Sequence, residues 1–347
     1  MKVATAQTER RPRQGGAPRL RADRIEAVRT SIDAGLLDTP QRECAALSRH
    51  LGCETWLKDE TANRLGCFKG RGADAFVAEL PQGTSVAVRE RKVLVCASAG
   101  NFGLALADAG RRNGMRVEVF VSSSANAYKV QRIAACGGVV KVDGSDFDEA
   151  KAAAREYARS NGHLWVEDGA ERAIAEGAGT IAIELARAGR FDAVVIPVGN
   201  GALLAGMGAW LRERVPETRI IAVCSTGAPV MRACWQHGLS AAAATVYRGT
   251  IADGIAVRVP VPEAVADLDG VVDDFLEVDD DDILAAMRVL YEVEGQAVEP
   301  AAAVGIAALV RHPDLFAGKR VATVLTGGNL TAEQRHAWFS QQEPIKE

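Results

Sequence analysis

One lysine, Lys69, stands in a setting that could turn its side-chain amine into a nucleophile. It lies between Phe68 and Gly70 within the glycine-rich segment 66–73. Burial beside an aromatic ring lowers the pKa of a lysine, and the free amine can then form a Schiff base with a carbonyl. Most lysines are solvated surface residues, so this segment indicates such chemistry only if other segments agree.

Three further segments each follow an apolar run that predicts a buried strand. Residues 97–103 and 197–203 are rich in small side chains and open a predicted helix, so their backbone N–H groups could bind a carboxylate or a phosphate. For the first of them, an ordinary turn with Asn101 as helix cap stays open. The second has neither the lysine of a Walker loop nor the third glycine of a dinucleotide fingerprint. In the third, Thr326 places a hydroxyl at a strand end, where α/β folds bind ligands.

The elements that must position these segments alternate along the chain. Short apolar runs predict strands over residues 93–96, 116–121, 139–142, 192–197 and 219–224, and Ala-rich patterns predict helices over 103–112, 127–136, 147–160 and 202–214. Continuous apolar strands separated by helices indicate mostly parallel sheets covered by helices on both faces. The fold class is therefore α/β.

Composition excludes several classes of protein. The 347 residues predict roughly two domains. With 41 basic and 45 acidic residues the net charge is −4, which gives no basic field for nucleic acid. Seven scattered cysteines without a C-x-x-C pair indicate reduced thiols, and five isolated histidines give no support for a metal site. We expect a cytoplasmic protein.

Two segments could be mistaken for targeting or membrane signals. Residues 1–24 are arginine-rich without an apolar core, so we expect a disordered basic arm rather than a secretory signal. Residues 193–211 lack charge, but Pro197 and several glycines would break a membrane helix. No membrane partner is expected.

The order of the motifs resembles the fold-type II family of pyridoxal-phosphate (PLP) enzymes, which includes serine/threonine dehydratases, serine racemase, threonine synthase and cysteine synthase. The resemblance covers about residues 32–329 and rests on the blocks 57–60, 67–73, 98–101, 199–203, 253–256, 299–303 and 326–329. It implies a tryptophan synthase β-like fold and a homodimer. It also implies a large cofactor domain, residues 25–79 and 166–340, with a small domain, residues 80–165, inserted in it.

The resemblance assigns roles to individual residues. Lys69 would hold PLP as a Schiff base, Phe68 would pack near its ring, and Thr326 would meet the pyridine nitrogen. Asn101 would bind the ring hydroxyl. The amides of the phosphate loop would bind the phosphate; these residues are Gly199, Asn200, Gly201, Ala202 and Leu203. A carboxylate loop would bind the amino-acid substrate through Ser98, Ala99, Gly100, Asn101 and Phe102.

The implied activity is PLP-dependent β-elimination, the deamination of a hydroxy amino acid such as serine or threonine. Asn200 makes the phosphate loop more like that of threonine synthase, so a β- or γ-replacement synthase is the alternative, and a non-catalytic ligand-binding homologue is a third. Ala99 stands where serine racemase has its second base, which disfavours racemisation. Cys224 replaces the glutamate with which several dehydratases bind a cation, so no metal is expected.

Two residues near Lys69 depart from the family pattern. Cys67 is interpreted as a packing residue rather than a reactive thiol. Arg64 is either a surface residue of its loop or a contact for an acidic substrate side chain.

Overall fold

Two sheets form the framework of the chain. The computed structural model describes residues 17–80 and 93–339. A six-stranded sheet has the strand order β1-β2-β10-β7-β8-β9, and a four-stranded sheet has the order β5-β4-β3-β6. The strands are β1 Gln41–Glu43, β2 Glu54–Asp59, β3 Leu94–Ala97, β4 Val117–Val121, β5 Val139–Val142, β6 Leu164–Trp165, β7 Ala193–Pro197, β8 Arg219–Ser225, β9 Asp274–Val278 and β10 Arg320–Leu325.

Every pairing between these strands is parallel except that of β1 with β2. Helices connect the strands and cover the sheets. They are α1 Ala22–Val28, α2 Ala45–Leu51, α3 Lys69–Glu79, α4 Asn101–Arg112, α5 Ala127–Ala135, α6 Phe147–Asn161, α7 Arg172–Leu185, α8 Ala202–Arg214, α9 Val230–His237, α10 Pro262–Asp267, α11 Asp280–Glu294, α12 Pro300–Arg311, α13 Pro313–Phe316 and α14 Ala332–Phe339. The predicted α/β fold is confirmed.

The inner strand β7 of the six-stranded sheet is buried on both faces. All five residues of β7 are buried, and alternate ones enter separate apolar clusters: Val194 and Ile196 lie in one, Ala193 and Val195 in the other. A strand that buries both faces must be continuously apolar, which is why residues 193–197 carry no polar side chain. The uncharged stretch 193–211 is therefore β7, a loop and the buried helix α8.

Small residues let the helices α3, α7 and α8 pack closely. A Cβ added to Gly206 of α8 would lie 1.9 Å from the carbonyl oxygen of Ala175 in α7, and one added to Gly177 would lie 2.4 Å from that of Arg71 in α3. Real Cβ atoms do not approach other atoms so closely, so only glycine permits these contacts. The abundant Gly and Ala thus hold α3, α7 and α8 together.

The two sheets divide the chain unequally. The strands of the four-stranded sheet lie between residues 94 and 165, and the six-stranded sheet takes strands from both sides of that stretch. The domain boundaries at residues 79/80 and 165/166 stay a prediction.

Residues 17–24 differ from the expected disordered arm. Leu20 is buried, Arg19 Nη2 pairs with Asp267 Oδ2 at 2.5 Å, and α1 begins at Ala22. The expectation of disorder is therefore wrong for these residues because an apolar side chain and an ion pair attach them to the fold. Residues 1–16 lie outside the described part of the chain.

Candidate active site

A cavity of about 590 Å³ lies where loops from both sheets meet. It is placed at the carboxyl ends of β3, β7 and β10, the edge at which parallel sheets bind ligands. Every site residue predicted from the sequence lines it: Phe68, Lys69, Ser98, Ala99, Gly100, Asn101, Phe102, Gly199, Asn200, Gly201, Ala202, Leu203 and Thr326.

Lys69 is positioned by the turn that precedes it. Cys67 forms an isolated antiparallel bridge with Gly327, and the Phe68 N–H donates to Thr326 O at 3.1 Å, so Lys69 becomes the first residue of α3 beside the end of β10. Its Nζ lies 4.6 Å from the centroid of the Phe68 ring. The amine donates to Asp168 Oδ2 at 2.5 Å.

The phosphate loop is shaped by glycine. A Cβ at Gly199 would lie 2.8 Å from Gly254 O, and Gly201, the N-cap of α8, has φ +94°. The first backbone hydrogen bond of α8 runs from Ala205 N–H to Gly201 O at 2.8 Å. The amides that precede it in the helix are free for a ligand, and the helix dipole adds positive potential there. This is a binding site for an anion such as a phosphate.

Asn101 is the first residue of α4, and Gly100 is its N-cap, so the alternative of an Asn101 cap is wrong. Instead the Asn101 side chain is held by two others. Its Nδ2 donates to both Glu299 carboxylate oxygens at 3.0–3.1 Å, and its Oδ1 accepts from Asn329 Nδ2 at 2.7 Å. Burial raises the pKa of Glu299, which also accepts from the Asn329 N–H at 2.6 Å. The Asn101 amide therefore has a fixed orientation at the cavity wall.

The carboxylate loop packs tightly between β3 and α4. The Gly100 N–H donates to Ser98 Oγ at 3.2 Å, and a Cβ at Gly103 would lie 2.5 Å from Ser98 O. Ala99 and Gly100 are small residues, so the backbone of the loop is open to the cavity. Backbone amides and the Ser98 hydroxyl are groups that bind a carboxylate.

Sequence reasoning assigned no role to seven charged residues of the cavity wall, which are Lys129, Asp148, Lys151, Asp168, Asp253, Arg258 and Glu299. Asp168 contacts Lys69, Lys129 pairs with Asp253, and Glu299 holds Asn101. The position of Asp168 shortly after β6 was an available signal, but β6 has only two residues and escaped prediction. Lys129 lies on a predicted helix, and nothing local marks it as facing a cavity.

Arg64 and Cys67, the two residues near Lys69 that depart from the family pattern, both have explained positions in the fold. Arg64 Nη2 donates to Asp108 Oδ2 at 2.7 Å, and Arg64 does not line the cavity, so contact with a substrate side chain there is contradicted. Cys67 is fully buried, and burial raises its thiol pKa to about 12.

Burial also raises the pKa of the Cys224 thiol. Across residues 17–80 and 93–339, no group of three or more His, Cys, Asp or Glu could hold a metal ion.

The cavity meets the needs of an aldehyde cofactor that carries a phosphate. It combines a primary amine, an aromatic ring, and oriented amide and hydroxyl groups. It also contains a helix N-terminus that an anion can approach because glycines precede it. Asp168 Oδ1 is buried and has no hydrogen-bond partner among the described residues, so the cavity also holds an unsatisfied acceptor for a bound group. The fold and site define a class of α/β enzyme whose cofactor is an aldehyde that carries a phosphate.

The comparison with known families agrees with this class. The chain belongs to the family of pyridoxal-phosphate dependent enzymes, whose family model matches residues 32–327. Its cofactor is PLP.

Similar proteins include L-threonine dehydratase biosynthetic IlvA of Haemophilus influenzae, 30% identical over 295 residues, which are 84% of this chain and 56% of that protein. L-threonine ammonia-lyase of Thermotoga maritima is 33% identical over 288 residues, 82% of this chain and 70% of that protein. The chain thus spans little more than half the length of the first relative. The processed form of threonine deaminase isoform 2 from Solanum lycopersicum has a similar structure, with a TM-score of 0.81, 26% identity and 98% of each chain covered.

A helix that spans a membrane needs about 20 consecutive, mostly apolar residues. Within residues 17–80 and 93–339, no helix is both long and apolar enough to cross a bilayer.

Proposed function

We propose that this protein is a PLP-dependent ammonia-lyase that converts a hydroxy amino acid, such as serine or threonine, to a 2-oxo acid and ammonia. One observation carries the proposal: the Lys69 amine faces the same cavity as the amides of the phosphate loop and the loop 98–102. These are the three groups that the cofactor and an amino acid need. The similarity to a threonine dehydratase and a threonine ammonia-lyase supports the reaction class.

Different residues of the chain bind the cofactor and the substrate. The amides of the phosphate loop bind the phosphate, Phe68 packs against the ring, and the Asn101 amide and Thr326 hydroxyl bind its polar atoms. The bound cofactor supplies an electron sink for the bonds at the substrate α-carbon. The loop 98–102 binds the substrate carboxylate and fixes the α-carbon near Lys69.

Lys69 is the proposed general base. When the lysine nitrogen is not bonded to the cofactor, it is free to take the α-proton of the substrate. The protonated Lys69 returns this proton to the β-hydroxyl, which leaves as water with the electron pair of the Cβ–O bond. A double bond forms between the α- and β-carbons, and hydrolysis yields the 2-oxo acid and ammonia. Ala99 has no hydroxyl to act as a base on the opposite face, so racemisation is expected to be slow.

The test is incubation of the purified holoenzyme with serine, threonine and related hydroxy amino acids. We expect a 2-oxo acid and one equivalent of ammonia, and we expect Lys69→Ala to lower the rate by ~10³-fold or more. Lys319→Ala is the matched control, because the Lys319 amine bonds to Leu315 O away from the cavity. Absence of a 2-oxo acid from every substrate would refute the proposal.

The replacement reaction remains the second candidate, because Asn200 in the phosphate loop favours it. An added thiol nucleophile, or O-phosphohomoserine as substrate, would then yield a new amino acid faster than deamination occurs. The non-catalytic alternative requires that cofactor absorbance be missing and that Lys69→Ala behave like the wild type.

We also infer a homodimer and a cytoplasmic location. The family resemblance supports the first, and the reduced-thiol pattern of the cysteines supports the second. Sedimentation of the purified protein tests the dimer, and fractionation of the source cells tests the location.

A further inference from the structure

We propose that Asp168 binds an ammonium group on the β-carbon of the substrate, so that L-2,3-diaminopropionate and similar 2,3-diamino acids are substrates of this site. The inference rests on the proposed function for its elimination chemistry. Its own evidence is a carboxylate that lies beside the catalytic lysine and has an unused oxygen.

The side chain of Asp168 is 9% exposed and lines the cavity. Oδ2 accepts from Lys69 Nζ at 2.5 Å, whereas Oδ1 is buried and has no hydrogen-bond partner in the described ranges 17–80 and 93–339. A buried carboxylate oxygen without a donor costs free energy. A substrate group that donates hydrogen bonds at this point would be stabilised.

The backbone that follows Asp168 is held at two points. Gly169 has φ +98°, and a Cβ there would lie 3.0 Å from Asn200 O, so this turn packs against the phosphate loop. Arg19 Nη1 donates to Ala170 O at 2.5 Å. These contacts fix the backbone next to Asp168, whose side chain lines the cavity.

The other cations of the cavity wall already have acidic partners. Lys129 pairs with Asp253, and Lys151 Nζ lies 2.5 Å from Glu167 Oε1. Arg258 Nη2 lies 2.6 Å from Asp148 Oδ2. Lys69 is thus the cation that neutralises Asp168, and in the working enzyme its nitrogen is committed to the cofactor or to the α-proton. A β-ammonium group of the substrate would supply the missing positive charge.

The chemistry of the leaving group favours an amine. A hydroxyl must receive a proton before it leaves as water, and a carboxylate has no proton to give. A β-ammonium already carries its proton, so the Cβ–N bond can break with its electron pair leaving as neutral ammonia. The Cα–H proton passes to Lys69, a Cα–Cβ double bond forms, and water then releases pyruvate and a second ammonia. No external oxidant or reductant is needed.

The experiment compares L-2,3-diaminopropionate with L-serine on the holoenzyme. Both substrates yield pyruvate, but diaminopropionate yields two ammonia molecules per pyruvate and serine yields one. We expect kcat/KM for diaminopropionate to fall ~10- to 100-fold in Asp168→Asn, the range for loss of a charge-assisted hydrogen bond, and kcat/KM for serine to fall much less. Asp168→Glu, which keeps the charge, should restore part of the preference.

A binding measurement makes the inference independent of turnover. Binding of diaminopropionate and of L-alanine is followed by the change in visible absorbance of the bound cofactor. Asp168→Asn should weaken binding of diaminopropionate but not of alanine. The matched control is Glu118→Gln, which removes a buried carboxylate charge whose partners, Arg116 and Lys141, do not line the cavity.

The outcomes separate this inference from the proposed function. Turnover of serine without turnover or tight binding of diaminopropionate would overturn the inference alone. An equal loss for both substrates in Asp168→Asn would also overturn it, because Asp168 would then act only through Lys69. Failure of every substrate to give a 2-oxo acid would overturn the proposed function, and the absorbance titration would still decide whether Asp168 binds the ammonium group.

Discussion

Cys67 lies two residues before Lys69, yet its thiol is fully buried and is expected to react slowly. Burial raises its pKa to about 12, and the negative charge of Glu299 adds to the shift. The thiolate is the reactive form of cysteine. Cys67 therefore acts as a packing residue beneath the bridge to Gly327.

We predict that Cys67 in the folded protein resists alkylation at pH 8, where almost none of it is ionised. Cys136, which is only partly buried, should react first, although burial raises its pKa as well. Peptide mass spectrometry after timed iodoacetamide treatment measures the order, and unfolding in guanidinium should expose both thiols. Modification of native Cys67 as fast as Cys136 would contradict the packing role.

At the scale of elements, a buried group of four charges joins α3, α7 and the end of β2. Arg71 donates to Glu184 at 2.7–2.8 Å and to Glu60 at 2.8–2.9 Å, and Lys58 Nζ donates to Glu184 Oε2 at 2.6 Å. These side chains are at most 2% exposed. Since α3 begins at Lys69, the group anchors the helix that carries the Lys69 amine.

Glu184 should make the stability of the protein depend on pH. Burial alone would raise its pKa, but Arg71 and Lys58 outweigh this and lower it to about 2 from an ordinary 4.5. The stabilisation is therefore complete above about pH 4.5 and is lost as the pH falls toward 2. Glu184→Gln should lower the free energy of unfolding near pH 7 by roughly 3 kcal/mol and flatten its slope between pH 4.5 and 2.

Denaturant titrations across this pH range measure both effects. Glu156→Gln is the control, because the pKa of Glu156 is also lowered to about 2, by Arg159 and Ser160, but its side chain is 60% exposed and solvent screens the pair. An unchanged slope in Glu184→Gln would mean that the buried charges do not couple to folding.

The same elements show what sequence could and could not predict. Helix α8 and strand β5 have the predicted bounds, because their apolar or Ala-rich patterns are local and end at glycine, charge or turn residues. The glycine loops were also predictable, since a strand that runs into small residues and a helix has few alternatives. Asp168 was not, because its role depends on a two-residue strand and on a lysine 99 positions earlier in the chain.

For the whole molecule, ion pairs across the mouth of the cavity connect the two sheet regions. Arg258, in the chain between β8 and β9 of the six-stranded sheet, reaches Asp146 at 3.0 Å and Asp148 at 2.6 Å, which lie at the start of α6 beside the four-stranded sheet. Lys129 of α5 pairs with Asp253 in the same way. Four of these residues, Lys129, Asp148, Asp253 and Arg258, line the cavity, so the pairs join the two sheet regions beside the cofactor site.

We predict that Arg258→Gln speeds cofactor release about 2- to 5-fold while changing the melting temperature by no more than about 2 °C, since exposed pairs contribute about 0.2–1 kcal/mol each. Release is measured with a phosphatase that hydrolyses free PLP. Salt at 0.5 M should speed release from the wild type and change the variant little, because screening removes the same interaction. Arg232→Gln is the control: Arg232 pairs with Glu277 at 2.7 Å with similar exposure, but away from the cavity. Equal effects of the two variants would mean that the mouth pairs are ordinary surface contacts and that retention of the cofactor depends on the cavity walls alone.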